Sequence, residues 1–167
     1  SFHKTVILVS HNRDEVYRMS EKAAVIRDGK VLQFGDNKEV FKRPVSKTAA
    51  VLTGCKNISK AMKRDENHVY AQEWGMLLEC ENTGLKEIPY VGIRMHDIII
   101  TDGENGILCD VEEVIENPFS FVVFVRKHGE TGTARMGIEL EKEAWNAVRA
   151  EKIRIMIPKE KVLLLRD

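Results

Sequence analysis

The sequence is poor in cysteine, in net charge and in long apolar runs. Its three cysteines, Cys55, Cys80 and Cys109, are odd in number and widely spaced, which predicts reduced, partly buried thiols and argues against a disulfide framework or a zinc site. The 26 basic residues balance 26 acidic ones, so a broad electrostatic attraction to nucleic acid is not expected. No apolar run approaches the roughly 18 residues of a membrane-spanning helix, and we expect a soluble protein.

The start of the chain is typical of the edge at which an α/β sheet binds ligands. Residues 5–9 form a short apolar run rich in β-branched residues, which predicts a strand covered on both faces. The run ends in Ser10-His11, and Asn12 can cap a following helix. A histidine at the C-terminal end of a parallel strand lies where open α/β sheets bind ligands. His11 is therefore a candidate site residue.

A hairpin and two short helices are predicted next. Asp28-Gly29 separates two apolar runs, and this dipeptide is a strong signal for a β-hairpin, here over residues 23–35. Capping residues and a following proline or glycine predict short helices over residues 36–43 and 46–52.

This order of elements resembles the last part of the ATP-binding subunit of an ABC transporter. In that family a strand ends in the switch histidine, a helix follows, and a hairpin of the form isDGkiv..G closes the nucleotide-binding domain. The resemblance implies that His11 contacts the γ-phosphate of ATP. The alternative is an unrelated α/β fragment in which His11 only caps a strand. The matching residues are Ser10, His11, Asp14, Glu15, Asp28, Gly29, Lys30, Val31 and Gly35.

The chain lacks the other elements of that family's ATPase. It has no Gly-x-x-x-x-Gly-Lys-Ser/Thr loop to cradle the β- and γ-phosphates. It also has no Leu-Ser-Gly-Gly-like signature and no apolar strand ending in the Asp-Glu pair that holds magnesium. We therefore expect the tail of a nucleotide-binding domain followed by another domain, and no ATP hydrolysis by this chain alone.

From Cys55 onward the sequence is typical of a β-domain. Short apolar or alternating runs recur between turn residues, which predicts a closed or nearly closed barrel or a sandwich. One helix is predicted over residues 142–150, with Trp145 and Val148 on its core face. The predicted strands cover residues 57–63, 68–73, 75–80, 90–94, 97–101, 107–115, 119–127, 133–140, 153–157 and 162–165.

An internal repeat indicates that this β-domain is duplicated. Residues 91–100 align with residues 155–164, and each segment reads as strand, tight turn, strand. Upstream, residues 75–79 resemble residues 137–141. Two related lobes fit a duplicated small barrel, and chance similarity among alternating β sequences is the alternative.

Two segments resemble the regulatory domains of ABC importer ATPases. Residues 91–98, VGIRMHDI, are similar to the vgIRPEdi of transport-associated OB domains. Residues 53–57, TGCKN, resemble the tSARN element that opens the molybdate-binding domains of molybdate and tungstate importers. In that element a hydroxyl, a cation and an amide coordinate the oxyanion. The resemblance therefore implies oxyanion binding by Thr53, Lys56 and Asn57.

The match to this element is incomplete. Gly54 and Lys56 stand where the family has serine and arginine, and lysine lacks the bidentate fork of arginine. Arg94, in the repeated turn, is a further anion-binding candidate. The alternative for Arg94 is a structural ion pair with Asp97 or Asp102.

The predicted fold is mainly β with a small α/β N-terminal piece. A partial ABC ATPase domain over residues 1–53, with a boundary near Thr53, precedes a duplicated OB-like β-barrel domain over residues 54–167. The resemblance implies the ATP-binding subunit of an ABC importer of the molybdate or tungstate class, in which the β-domain regulates transport and binds oxyanion.

The same resemblance implies ligands, partners and location. It implies ATP with magnesium in the full subunit, molybdate or tungstate in the β-domain, a second copy of the chain, and transmembrane permease subunits at the inner face of the cell membrane. The location is then cytoplasmic, and neither nucleic acid nor a metal site is expected. Two alternatives are a sugar, polyamine or other solute importer whose β-domain is only a scaffold, and a free-standing oxyanion-binding protein.

Overall fold

A computed structural model describes residues 5–81 and 84–167, so residues 1–4 of the predicted first domain lie outside it. Its helices are short, and most of its elements are strands. In chain order these are α1 (Arg13–Met19), β1 (Lys22–Arg27), β2 (Lys30–Asp36), α2 (Asn37–Lys42), α3 (Lys47–Leu52), β3 (Asn57–Lys63), β4 (His68–Ala71), β5 (Met76–Glu79), β6 (Tyr90–Ile93), β7 (Ile99–Ile100), β8 (Ile107–Glu116), β9 (Ser120–Lys127), β10 (Met136–Glu141), α4 (Lys142–Val148), β11 (Lys152–Met156) and β12 (Leu163–Leu165), with 3₁₀ turns at Met95–Asp97 and Lys159–Lys161.

The predicted strand over residues 5–9 is wrong. These residues are irregular and exposed, with Ile7 86% and Val9 93% accessible. A buried parallel strand needs neighbours on both sides to accept and donate its backbone hydrogen bonds. Among residues 5–81 and 84–167, no strand pairs with this segment.

The local signals that follow are confirmed. Strands β1 and β2 pair antiparallel across Asp28 (φ 51°) and Gly29 (φ 73°), and two positive φ values in a two-residue turn match the right-handed twist of a hairpin. Side chains of Asn12, Asp36 and Ser46 accept hydrogen bonds from the first-turn amides of α1, α2 and α3. Each cap satisfies backbone donors that the helix itself leaves free.

Two five-stranded antiparallel sheets form the β part, and their strand orders correspond. Their orders are β7-β11-β8-β9-β10 and β12-β6-β3-β4-β5. The two segments aligned in sequence, β6-turn-β7 and β11-turn-β12, exchange their second strands, because β12 pairs with β6 and β7 pairs with β11. The alignment matches Gly92 with Met156 and Ile99 with Leu163, and the observed pairs are Gly92–Leu163 and Met156–Ile99. The two segments therefore occupy equivalent places.

The main core is shared by both sheets. Buried residues of β4 to β6 pack with buried residues of β8 to β11 in one cluster, so neither sheet has a core of its own. Trp74 and Trp145 belong to it. Val148, predicted on the same face as Trp145, is instead 39% exposed and is the last residue of α4.

The three cysteines are free and buried, as predicted. Burial raises the pKa of all three thiols, to about 11 for Cys55 and about 12 for Cys109. A thiol with a raised pKa carries little thiolate and behaves as a small apolar residue.

Helix α3 lies between the first part of the chain and the β part. Ala49 packs in a small cluster with Ala23, Val25 and Val40, whereas its neighbour Ala50 packs with Cys55 and Leu165. Residues 45–47 also run parallel to the C-terminus, where Lys47 N donates to the carbonyl oxygen of Arg166 at 2.9 Å. The linker, which is residues 37–53 with helices α2 and α3, is thus packed through α3 and residues 45–47 against both ends of the β part.

Candidate functional site

Thr53 and Arg94 are brought together at the end of α3. The Arg94 Nη1 donates to the carbonyl oxygen of Thr53 at 2.7 Å, and its Nη2 donates to the Thr53 Oγ1 at 3.2 Å and to the carbonyl oxygen of Phe41. The Thr53 hydroxyl donates in turn to the carbonyl oxygen of Ala49 at 2.8 Å. Thr53 is 7% exposed, and its hydroxyl satisfies a carbonyl group in the last turn of α3.

The alternative considered for Arg94, an ion pair with Asp97 or Asp102, is not formed among the described residues. Asp97 is instead 3.1 Å from the Lys161 ammonium. Arg94 follows the buried strand β6, and its side chain extends toward the linker helices, whose terminal carbonyls lack partners within the helix. Helix C-termini carry partial negative charge and attract cations, which explains why the guanidinium binds carbonyls there.

Asn57 joins the two sheets. Its Nδ2 donates to the carbonyl oxygen of Gly137 and its Oδ1 accepts from the Gly137 amide, both at 2.8 Å. The side chain is 7% exposed. Asn57 begins β3 and Gly137 lies in β10, so one amide group replaces a pair of backbone hydrogen bonds across two sheets.

Lys56 and His11 are exposed, unlike the buried residues Thr53 and Asn57. Lys56 is exposed, and within the described part of the chain no hydrogen bond or ion pair holds its ammonium. His11 is also exposed and directly precedes Asn12, the N-cap of α1. Its neighbour Ser10 accepts a hydrogen bond from the Asn12 amide through its Oγ at 3.0 Å.

The contacts at this junction include residues that sequence patterns did not single out. A Cβ on Gly54 (φ +93°) would meet the guanidinium of Arg13, so α1 approaches the linker at a position that favours glycine. The Lys47 ammonium lies 4.5 Å from the Tyr90 ring centroid. These are contacts between distant parts of the chain, and no local signal in the sequence reports them.

Two surface grooves formed by the described residues do not include the candidate residues. They flank α4 and are lined by residues such as Val111, Trp145, Ala150 and Lys152, none of which was a candidate. Within residues 5–81 and 84–167 no group of His, Cys, Asp and Glu side chains is placed to hold a metal ion. In the same part of the chain, none of the helices has both the length and the apolar character of a membrane crossing.

Comparison with known proteins finds relatives for both parts of the chain. No family model matches it. The chain is 25% identical over 157 residues to the spermidine/putrescine import ATP-binding protein PotA of Onion yellows phytoplasma (strain OY-M). The aligned region covers 91% of this chain and 37% of that protein. The chain thus spans little more than a third of the length of this relative.

About two thirds of the chain also shares its fold with a solved structure. The cytoplasmic molybdate-binding protein ModG, in a form with molybdate bound, superposes with a TM-score of 0.51 and 12% identity. The match covers 66% of this chain and 95% of that one. This likeness shows a shared β fold, consistent with the OB-like barrel predicted from the sequence.

Proposed function

We propose that this chain is the C-terminal part of the ATP-binding subunit of an ABC importer. Residues 1–53 are then the end of the nucleotide-binding domain, and residues 54–167 are a regulatory OB-like domain. The observation that carries this proposal is the extent of the similarity to PotA. It runs over 91% of the chain, so the helix-and-hairpin part and the β part occur together in one import ATP-binding protein.

The surface of the first part supports the proposal. Its apolar side chains are unusually exposed for a folded domain, including Val9 at 93% and Phe34 at 66%. Large exposed apolar surfaces in soluble proteins mark places where other protein packs. The remainder of a nucleotide-binding domain would cover this surface and supply strands on both sides of residues 5–9.

The two sheets support a duplicated regulatory domain. Beyond their matching orders, the aligned turns make equivalent approaches: Met95 lies against Gly137 of β10, and Lys159 lies 3.6 Å from Glu79 of β5. Strands β10 and β5 hold the same place in their sheets. These two strands include most of the residues of the upstream match, 75–79 with 137–141, and each pairs with the strand that precedes it in the chain.

In this function His11 is the residue that contacts the γ-phosphate of ATP, which the full subunit binds with magnesium. A neutral imidazole suits the role because it donates one hydrogen bond and loses it when the phosphate leaves. The partners are a second copy of the chain and transmembrane permease subunits, which place the subunit at the cytoplasmic face of the membrane. No nucleic acid is involved.

A second candidate function is oxyanion sensing by the β part, as in the molybdate and tungstate importers. The fold shared with the molybdate-binding ModG favours it. The proposed ligands are Thr53, Lys56, Asn57 and Arg94. Three of them already donate to backbone carbonyls, so Lys56 supplies the free charge. A polyamine importer with a scaffold β-domain is the alternative, and the name of the PotA relative favours it.

The proposal is tested by a chimera in which the ATPase half of the PotA relative is joined to this chain. We expect ATP turnover by the chimera and little or none by the ATPase half alone, because residues 1–53 complete the domain. A matched control carries residues 54–167 without residues 1–53 and is expected to be as inactive as the half. Equal turnover in all three proteins contradicts the proposal.

A further inference from the structure

We propose that Arg94 is a clamp that holds helices α2 and α3 to the β part, so that linker and β-domain move as one body. Its guanidinium bonds reach the carbonyl oxygens of Phe41 in α2 and Thr53 at the end of α3. Arg94 itself follows β6 of the second sheet. Its regulatory meaning, as the positioning residue through which the β-domain acts on the nucleotide-binding part, rests on the proposed function; the clamp itself does not.

The base of the clamp is rigid. Strand β6 is paired on both sides, with β3 and β12, and Ile93 directly before Arg94 is fully buried. After Arg94 the chain turns tightly, with the Asp97 amide donating to the Arg94 carbonyl oxygen at 3.0 Å. Met95 is 9% exposed and packs against Gly137 of the other sheet. The Arg94 backbone is therefore fixed to both sheets.

The chemistry of the contact requires arginine. The acceptors are carbonyl groups at two helix ends and one hydroxyl, and two different nitrogens of the guanidinium bond them. A planar guanidinium presents five donors in a fixed fork, whereas an ammonium is a point charge. The positive charge also suits two helix C-termini at once.

The repeat provides an internal comparison. In the alignment of residues 91–100 with 155–164, Pro158 stands at the position of Arg94. Pro158 has no side-chain donor, yet it leads into the same type of 3₁₀ turn. The turn itself therefore does not need arginine. Arginine is present in the copy that faces α2 and α3.

Amide hydrogen exchange of the whole chain tests the clamp. In Arg94→Ala we expect the amides of Arg43 and Thr53, which bond within the last turns of α2 and α3, to exchange about tenfold faster or more, since each helix end loses a charge-assisted hydrogen bond. The amides of β6 should keep their wild-type rates. The matched control is Arg154→Ala, because Arg154 also donates to a backbone carbonyl, that of Gly106, but within the β part. In this variant the amides of Arg43 and Thr53 should exchange at their wild-type rates.

A second variant covers the case in which Arg94→Ala does not fold. Arg94→Lys keeps the stem and the charge but cannot reach both helices, so it should accelerate exchange at one helix end more than at the other. Wild-type rates at Arg43 and Thr53 in the folded variants overturn the clamp, and so does equal acceleration in Arg154→Ala. The exchange is read without nucleotide, so absence of ATPase activity in the chimera would sink the proposed function and leave this result standing.

Discussion

At the scale of single residues, buried polar side chains in this protein mainly satisfy backbone groups at element ends. Asn37 is 2% exposed, and its Nδ2 lies within 3.1 Å of the carbonyl oxygens of Val16, Tyr17 and Ser20 at the end of α1. Arg94 does the same for α2 and α3. Short helices have a large share of unsatisfied ends, so a fold that contains three such helices in its first part needs side chains of this kind.

The residue that tests oxyanion sensing is Lys56. If the β part binds molybdate or tungstate there, Lys56→Ala should weaken binding about tenfold, because one charged hydrogen bond is lost. Calorimetry with molybdate, tungstate, sulfate and phosphate measures this, and Lys60→Ala, a nearby exposed lysine, is the control. Absence of binding at millimolar concentration, or equal binding by both variants, rejects the sensor and leaves the scaffold.

At the scale of elements, local chemistry decided what could be predicted from the sequence. The Asp28-Gly29 turn and the caps at Asn12 and Ser46 depend on neighbouring residues, and they are confirmed. The strand over residues 5–9 depends on neighbouring strands, and the prediction failed. The hydrogen-bond partners of Arg94 and Asn57 are distant in sequence. The residue types therefore indicated a polar site, but they did not indicate that backbone carbonyl groups would accept the hydrogen bonds of these side chains.

The link between β3 and β10 through Asn57 gives a prediction for stability. Asn57→Ala should lower the free energy of unfolding by about 2–4 kcal/mol, because two hydrogen bonds are lost and the Gly137 amide and carbonyl are left buried without a partner. Asn146→Ala is the control, since Asn146 is exposed and its loss should change stability by less than about 0.5 kcal/mol. Chemical denaturation measures both. Similar midpoints for the two variants contradict the role of Asn57.

At the scale of the whole molecule, the linker makes the two parts one structure. Helix α3 contributes Ala49 to one cluster and Ala50 to the other, residues 45–47 pair with the C-terminus, and Arg94 ties the helix ends to β6. If the β part is a regulatory domain, as proposed above, we expect an attachment of this kind to transmit a change of its position directly to the hairpin and to α1. A flexible tether would not, because its conformational freedom absorbs such a change.

The most direct test of the importer ATPase assignment is the ATP turnover of the chimera with His11→Ala. The account predicts that turnover falls by at least about tenfold while ATP still binds, because a group that acts on the γ-phosphate contributes to the transition state whereas the phosphate loop supplies most of the binding. The control is His96→Ala, an exposed histidine in the β part, which should keep wild-type turnover. Wild-type turnover in the chimera with His11→Ala would contradict the account.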